Sequence, residues 1–142
     1  CLHMYYNFEH KTQIRVRYGE TDQMGYCYYG NYAQYFEVGR VEALREVGSS
    51  YKDIEESGIM LPVSEYSVKY LKPALYDDLL TISTKITEIK GVKIVFDYTL
   101  YNEQQDIISS GQTTLVFVKK DTMRACPPPN DLLEKLSHYA KK

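Results

Sequence analysis

The chain has 142 residues, 44% hydrophobic and 25% charged, with a formal net charge of −2 from 17 basic and 19 acidic side chains. That length suits one domain, which we set at residues 4–142, and the near balance of charge speaks against a broad basic face for nucleic acid. Mean hydropathy is −0.43 and no apolar run approaches about 18 residues, so no membrane insertion is expected.

In chain order, Lys11 to Tyr18 alternates, with Ile14, Val16 and Tyr18 on one face and Arg15 and Arg17 on the other, which predicts a half-buried strand. A polar turn with two glycines follows. From Asn31 to Val47 the apolar positions recur at three- and four-residue steps through Tyr32, Tyr35, Phe36, Gly39, Ala43 and Val47, predicting a long, largely buried helix. Asn31 and Gln34 resemble a capping box at its start, and Gly48 suits its end. A short helix is expected over Tyr51 to Ser57. Strands are predicted over Val63 to Tyr70, Leu79 to Ile89, Val92 to Leu100 and Ile107 to Lys119, with turns at Gly91 and at Asn102 to Asp106. Gly111 marks a bulge or a close backbone approach. After Pro127, Pro128 and Pro129, Asn130 is expected to cap a helix from Asp131 to Tyr139.

The later connections are too short for parallel crossovers. The fold class is therefore α+β: an antiparallel five-stranded sheet covered on one face by the long helix. On the other face Thr81, Ser83, Lys85 and Thr87 suit water, whereas Val95 and Tyr101 do so less, which points to self-association through the sheet.

Cys1, Cys27 and Cys126 form no C-x-x-C pair and no metal-ligand spacing, and so fit reduced thiols in a cytoplasmic protein. Residues 1–4 do not read as a signal peptide. His3, His10 and His138 lie near the chain ends, and no G-x-S-x-G, H-E-x-x-H, Walker A or G-x-G-x-x-G is present. Chemistry is left to carboxylates, hydroxyls and backbone groups, with no metal expected. Tyrosine is over-used, at 15 against 4 Phe and no Trp. This suits half-buried surfaces, interfaces and pocket walls, or a β-rich chain using Tyr as a strand former.

The densest signal is Arg15 to Arg40, RVRYGETDQMGYCYYGNYAQYFEVGR. Asp22 falls in a loop leading to the N-terminus of the long helix, where unpaired N–H groups carry partial positive charge. A carboxylate beside such amides can attack a carbonyl or position water, while the amides hold an oxyanion. That suits acyl transfer from a thioester; equally, Asp22 can simply bond the loop backbone. Glu20, two residues earlier, is expected to be solvated.

This stretch resembles the hotdog-fold acyl-CoA thioesterases of the 4-hydroxybenzoyl-CoA thioesterase type, including those found with Tol-Pal systems. The resemblance rests on Tyr18, Glu20-Thr21-Asp22, Gly25, Tyr28-Tyr29 and Asn31-Tyr32, with Pro73-Ala74, Asp77-Asp78 and Gly111 downstream. It implies a hotdog fold and hydrolysis of an acyl-CoA thioester to free acid and coenzyme A, without a cofactor beyond the coenzyme A of the substrate. By position, Asp22 matches the nucleophile or general base, the Tyr29 N–H the donor to the carbonyl, and Tyr18 a tyrosine near the site. Tyr28, Gly30 and Asn31 fall at substrate-binding positions. Coenzyme A is expected across the interface of a homodimer or homotetramer, its phosphates near Lys90 and Lys93 at the turn before the fourth strand. Tol-Pal-type members carry His where this chain has Tyr29. Two rivals stand beside this reading: a hotdog dehydratase, which the absence of any His between His10 and His138 disfavours, and a non-catalytic acyl-CoA-binding or structural homo-oligomer.

Overall fold

The computed structural model describes residues 3–140. The strands are β1 (His3–Arg15), β2 (Ile59–Met60), β3 (Val63–Tyr70), β4 (Leu79–Lys90), β5 (Lys93–Tyr101), β6 (Ile107–Val116) and β7 (Val118–Lys119). The helices are α1 (Tyr32–Val47), α2 (Tyr51–Glu56) and α3 (Asn130–Leu136). Five strands form one antiparallel sheet in the order β1-β4-β5-β6-β3, and β2 pairs with β7 apart from it.

The period-two pattern of β5 decides which face is covered. Ile94, Phe96, Tyr98 and Leu100 are all buried, and α1 lays Tyr35, Phe36, Gly39, Ala43 and Leu44 on that face. Phe36 stacks on Tyr98, ring centroids 4.7 Å apart. Two glycines permit this closeness. A Cβ on Gly39 would lie 2.5 Å from Thr84 Oγ1 and 2.7 Å from Ile82 Cγ2, and one on Gly111 would lie 2.7 Å from Phe36 Cε2. The pairing is unbroken at Gly111 on both sides, so it marks a close approach and not a bulge. Gly48 ends α1 at φ +98°, its N–H donating to the Leu44 and Arg45 carbonyls.

Several boundaries differ from the sequence expectation. β1 starts at His3, because Tyr6 and Phe8 extend the inward alternation and β4 is long enough to pair with it. It ends at Arg15, and Tyr18 instead opens a 3₁₀ turn over Tyr18–Glu20. The last strand breaks at Phe117, whose N–H donates to Val92 O, and the chain then pairs with β2. Asn31 does not cap α1 with its side chain: its backbone is already helical, continuing a 3₁₀ turn over Tyr29–Asn31. Likewise α3 begins at Asn130 with Pro129 as its cap. Ser83, assigned to water, is buried because its hydroxyl donates to Glu9 across the β1–β4 pair.

At one sheet edge, β1 is partly covered by a bridge from Tyr6 to Ala140. The other edge, β3, is bare among the described residues, with Val63, Tyr66 and Tyr70 exposed. No helix among the described residues is long and apolar enough to cross a membrane.

Candidate active site

Asp22 opens a tight reversal. Its N–H donates to Tyr26 O at 2.8 Å, and Gly25, at φ +79°, donates to Asp22 O at 3.0 Å. Asp22 Oδ1 accepts from the N–H groups of Met24 at 2.9 Å and Tyr26 at 3.2 Å, an Asx turn. The second carboxylate oxygen meets no donor among the described residues. One oxygen holds the loop and the other is unpaired among the described residues.

The loop is fastened from both sides. Cys27 N donates to Ala74 O at 2.6 Å, and Tyr26 bridges to Leu75, so the Pro73–Ala74 segment forms one wall. Glu20 O accepts from Tyr28 N and from Asn31 Nδ2, each at 2.8 Å, which ties the strand exit to the start of the helix. The Glu20 side chain is buried, not solvated. The 3₁₀ turn at 18–20 rotates it inward, where its carboxylate accepts from Arg17 N and Tyr35 OH, each at 2.9 Å, and pairs with the Arg17 guanidinium at 3.3 Å. Burial pushes the Glu20 carboxyl up, but the Arg17 amide, the Tyr35 hydroxyl and the Arg17 charge together hold it below the ordinary range.

The 3₁₀ turn at Tyr29–Asn31 leads directly into α1. Among the described residues, the N–H groups of Tyr29 and Gly30 meet no acceptor. They are open donors at the positive end of a 16-residue helix. A Cβ on Gly30 would lie 2.8 Å from the exposed Tyr28 ring and would push it aside. Tyr70, at the end of β3, donates to Tyr29 O at 3.2 Å and fixes the sheet edge against the helix start.

Asp22 and Tyr29 line the same cleft of about 340 Å³, together with Cys27, Tyr32, Tyr70 and Lys72. Cys27 is no rival nucleophile. Burial pushes its thiol up, and the Glu20 and Asp22 charges add to this, while its S–H donates to Tyr35 OH at 3.2 Å. Tyr32 is pushed up to about 12, chiefly by burial, and stays a neutral wall. A larger hollow of about 640 Å³ between Ser57 and Pro127 holds Asp121 and Cys126 but lies apart from the start of α1.

Of the predicted site residues, Asp22 and Tyr29 line the cleft, while Tyr28, Gly30 and Asn31 neighbour Tyr29 in the chain but do not line it. Tyr28 packs on Tyr29 at 4.6 Å between centroids, and Asn31 serves the loop, not the cleft. Tyr18 stands outside, 77% exposed, its ring against Tyr76. Lys90 and Lys93 face each other at the β4–β5 turn, eleven residues along β4 from Leu79, or about 36 Å of strand from the end that carries the cleft. Sequence reasoning missed Tyr70 and Cys27 as lining. The alternation Tyr66-Val68-Tyr70 signals a shared face, but nothing in it signals contact with the helix start.

A five-stranded antiparallel sheet wrapped on one long helix is the hotdog architecture of thioesterases. The chain belongs to the Thioesterase-like superfamily, whose family profile matches residues 16–136. YneP of Bacillus subtilis, a putative acyl-CoA thioesterase, is 34% identical over 114 residues, 80% of this chain and 83% of its own. The acyl-CoA thioester hydrolase YbgC of Escherichia coli is 28% identical over 120 residues, 84% of this chain and 90% of its own. The crystal structure of a DHNA-CoA thioesterase from Staphylococcus aureus matches with a TM-score of 0.87 at 34% identity, over 92% of this chain and 89% of that one.

Proposed function

We propose that the protein hydrolyses acyl-CoA thioesters, with Asp22 as nucleophile or general base and the Tyr29 N–H as the donor to the carbonyl oxygen. One observation carries this reading: Asp22, with one carboxylate oxygen unpaired among the described residues, and Tyr29, whose N–H is likewise without an acceptor, line a single cleft. A thioester carbonyl seated on Tyr29 N–H is polarised by that donor and by the helix end behind it. Asp22 then attacks the carbonyl carbon, forming a mixed anhydride that water cleaves after the thiolate has left, or it takes a proton from a water that attacks directly. The negative charge builds on the oxygen held by the amide. The coenzyme A thiolate departs without a strong acid, since a thiol of pKa about 8.5 is a fair leaving group. The donor is a backbone group, so Tyr29 in place of His leaves it intact.

The bare β3 edge supports a homodimer joined through that strand. Antiparallel pairing about a two-fold axis sets the partner's β3 start beside the β3 end here, and with it the end of the sheet that carries Lys90 and Lys93. The lysines would then hold the coenzyme A phosphates for the other subunit's cleft.

Replacing Asp22 by Asn tests the reading. The amide oxygen still accepts from Met24 and Tyr26, so the loop is expected to keep its shape. Turnover of acyl-CoAs, followed by thiol release, is expected to fall by about 10²–10⁴-fold. Near-full activity would remove Asp22 from the mechanism. Oxygen-18 incorporation into Asp22 in a single turnover separates nucleophile from base.

A further inference from the structure

α1 and β3 also border a second, open hollow of about 240 Å³, lined in part by Ala33, Val63, Tyr66 and Arg40. Arg40 is the one buried basic side chain among the described residues, at 8% exposed. Its Nε donates to Tyr51 OH at 2.6 Å and its Nη1 to Tyr98 OH at 3.2 Å. Tyr98 is buried and Tyr51 half-buried, and desolvation pushes both phenols above their ordinary range, so they stay neutral. No carboxylate pairs with Arg40 among the described residues. A guanidinium taken out of water without a counter-charge is costly. Among the described residues its Nη2 meets no acceptor, and neither does the hydroxyl of Tyr66, a side chain partly open to solvent. Both residues border the hollow, so two donors are free for a ligand there.

The hollow and the Asp22 cleft are bounded by the same two elements. Tyr29, Tyr32 and Tyr70 line the cleft, and Ala33, Arg40 and Tyr66 line the hollow. From Tyr29 to Arg40 is eleven residues, about 16 Å along the helix, within reach of a chain bound at its carbonyl end. We infer that this hollow receives the far end of the acyl group and that Arg40 and Tyr66 select chains ending in a carboxylate, that is, mono-thioesters of dicarboxylic acids. The inference rests on the hydrolase reading for its placement of the carbonyl. Arg40 Nη2 and Tyr66 OH supply one donor to each carboxylate oxygen, and Ala33 and Val63 take the methylenes. Glu37 also borders the hollow but is exposed, so its charge is screened by water.

The test is a length series of ω-carboxyacyl-CoAs against their ω-methyl esters, read as kcat/KM on the wild-type chain and as Kd on the Asp22→Asn variant. At the best length the free carboxylate is expected to be favoured by roughly tenfold or more in both readouts, the scale of a charge-assisted hydrogen bond. Tyr66→Phe should narrow that ratio, Arg40→Met should erase it, and Glu37→Gln should widen it. Turnover with no preference at any length overturns the inference and leaves hydrolysis standing; so does a preference that survives in a folded Arg40→Met chain. A carboxylate from a second copy filling the hollow would also show as no preference. Preferential binding without any turnover would sustain the inference and sink the hydrolase reading.

Discussion

Glu20 organises the site more than Asp22 does. Its carboxylate and its carbonyl together receive Arg17, Tyr35, Tyr28 and Asn31, which are the strand exit, the helix and the turn between them. Truncation to Ala leaves a buried phenol and a backbone amide without acceptors, an expected loss of roughly 1–3 kcal/mol in urea unfolding. The effect depends on pH with a definite sign. The folded-state pKa lies below the ordinary value of 4.5, so the contribution is present above that value and lost as pH falls through the lower folded one. Melting temperature followed down the acid limb should therefore drop less steeply in Glu20→Gln than in wild type; parallel curves would show that the charge is not what holds the turn. Sequence reading placed Glu20 in water as an acidic residue of a polar turn. The backbone curls there into a 3₁₀ turn, and a turn of that size leaves no periodic trace in the sequence.

At the scale of elements, α1 touches the sheet through residues chosen for what they lack. Gly39 in a helix interior costs about 1 kcal/mol against Ala by propensity. Yet an Ala Cβ would stand 2.5 Å from Thr84 Oγ1, with Ile82 close behind. Overpacking of this kind costs about 1–3 kcal/mol, so Gly39→Ala is expected to lower stability in spite of its better propensity. Thr84 offers the converse. Its buried hydroxyl has no hydrogen-bond partner among the described residues, so Thr84→Val should be neutral or stabilising in thermal melts. A clear loss would mean that the hydroxyl has a partner in solution. The elements themselves were legible, because the three- and four-residue steps of α1 and the alternation of β5 both answer to one buried face. The loop–helix juxtaposition was legible only through the resemblance and the acidic loop. Arg40 was not legible: a basic residue on a helix reads as solvated until Tyr51 and Tyr98 are seen to close over it.

At the scale of the whole molecule, the proposed reading puts the two parts of one site at opposite ends of the sheet. The cleft lies at the end that holds Tyr70 and Leu79, and the lysine pair lies at the other, where Lys93 stands opposite Val116. The proposed two-fold axis through the bare β3 edge would resolve this, because isologous pairing sets unlike ends side by side. Each site would then take Asp22 from one copy and Lys90 with Lys93 from its partner. This can be tested by complementation. Asp22→Asn alone should be nearly inactive, and a chain with Lys90→Ala and Lys93→Ala should show a raised KM for acyl-CoA but little change for a truncated thioester that lacks the nucleotide. After the two proteins are mixed and allowed to exchange subunits, half-damaged dimers should contain one intact site each. Turnover at low acyl-CoA should then rise above the sum of the separate proteins, with sedimentation confirming that exchange took place. If both groups serve the same chain's site, every site keeps one defect, and mixing changes nothing.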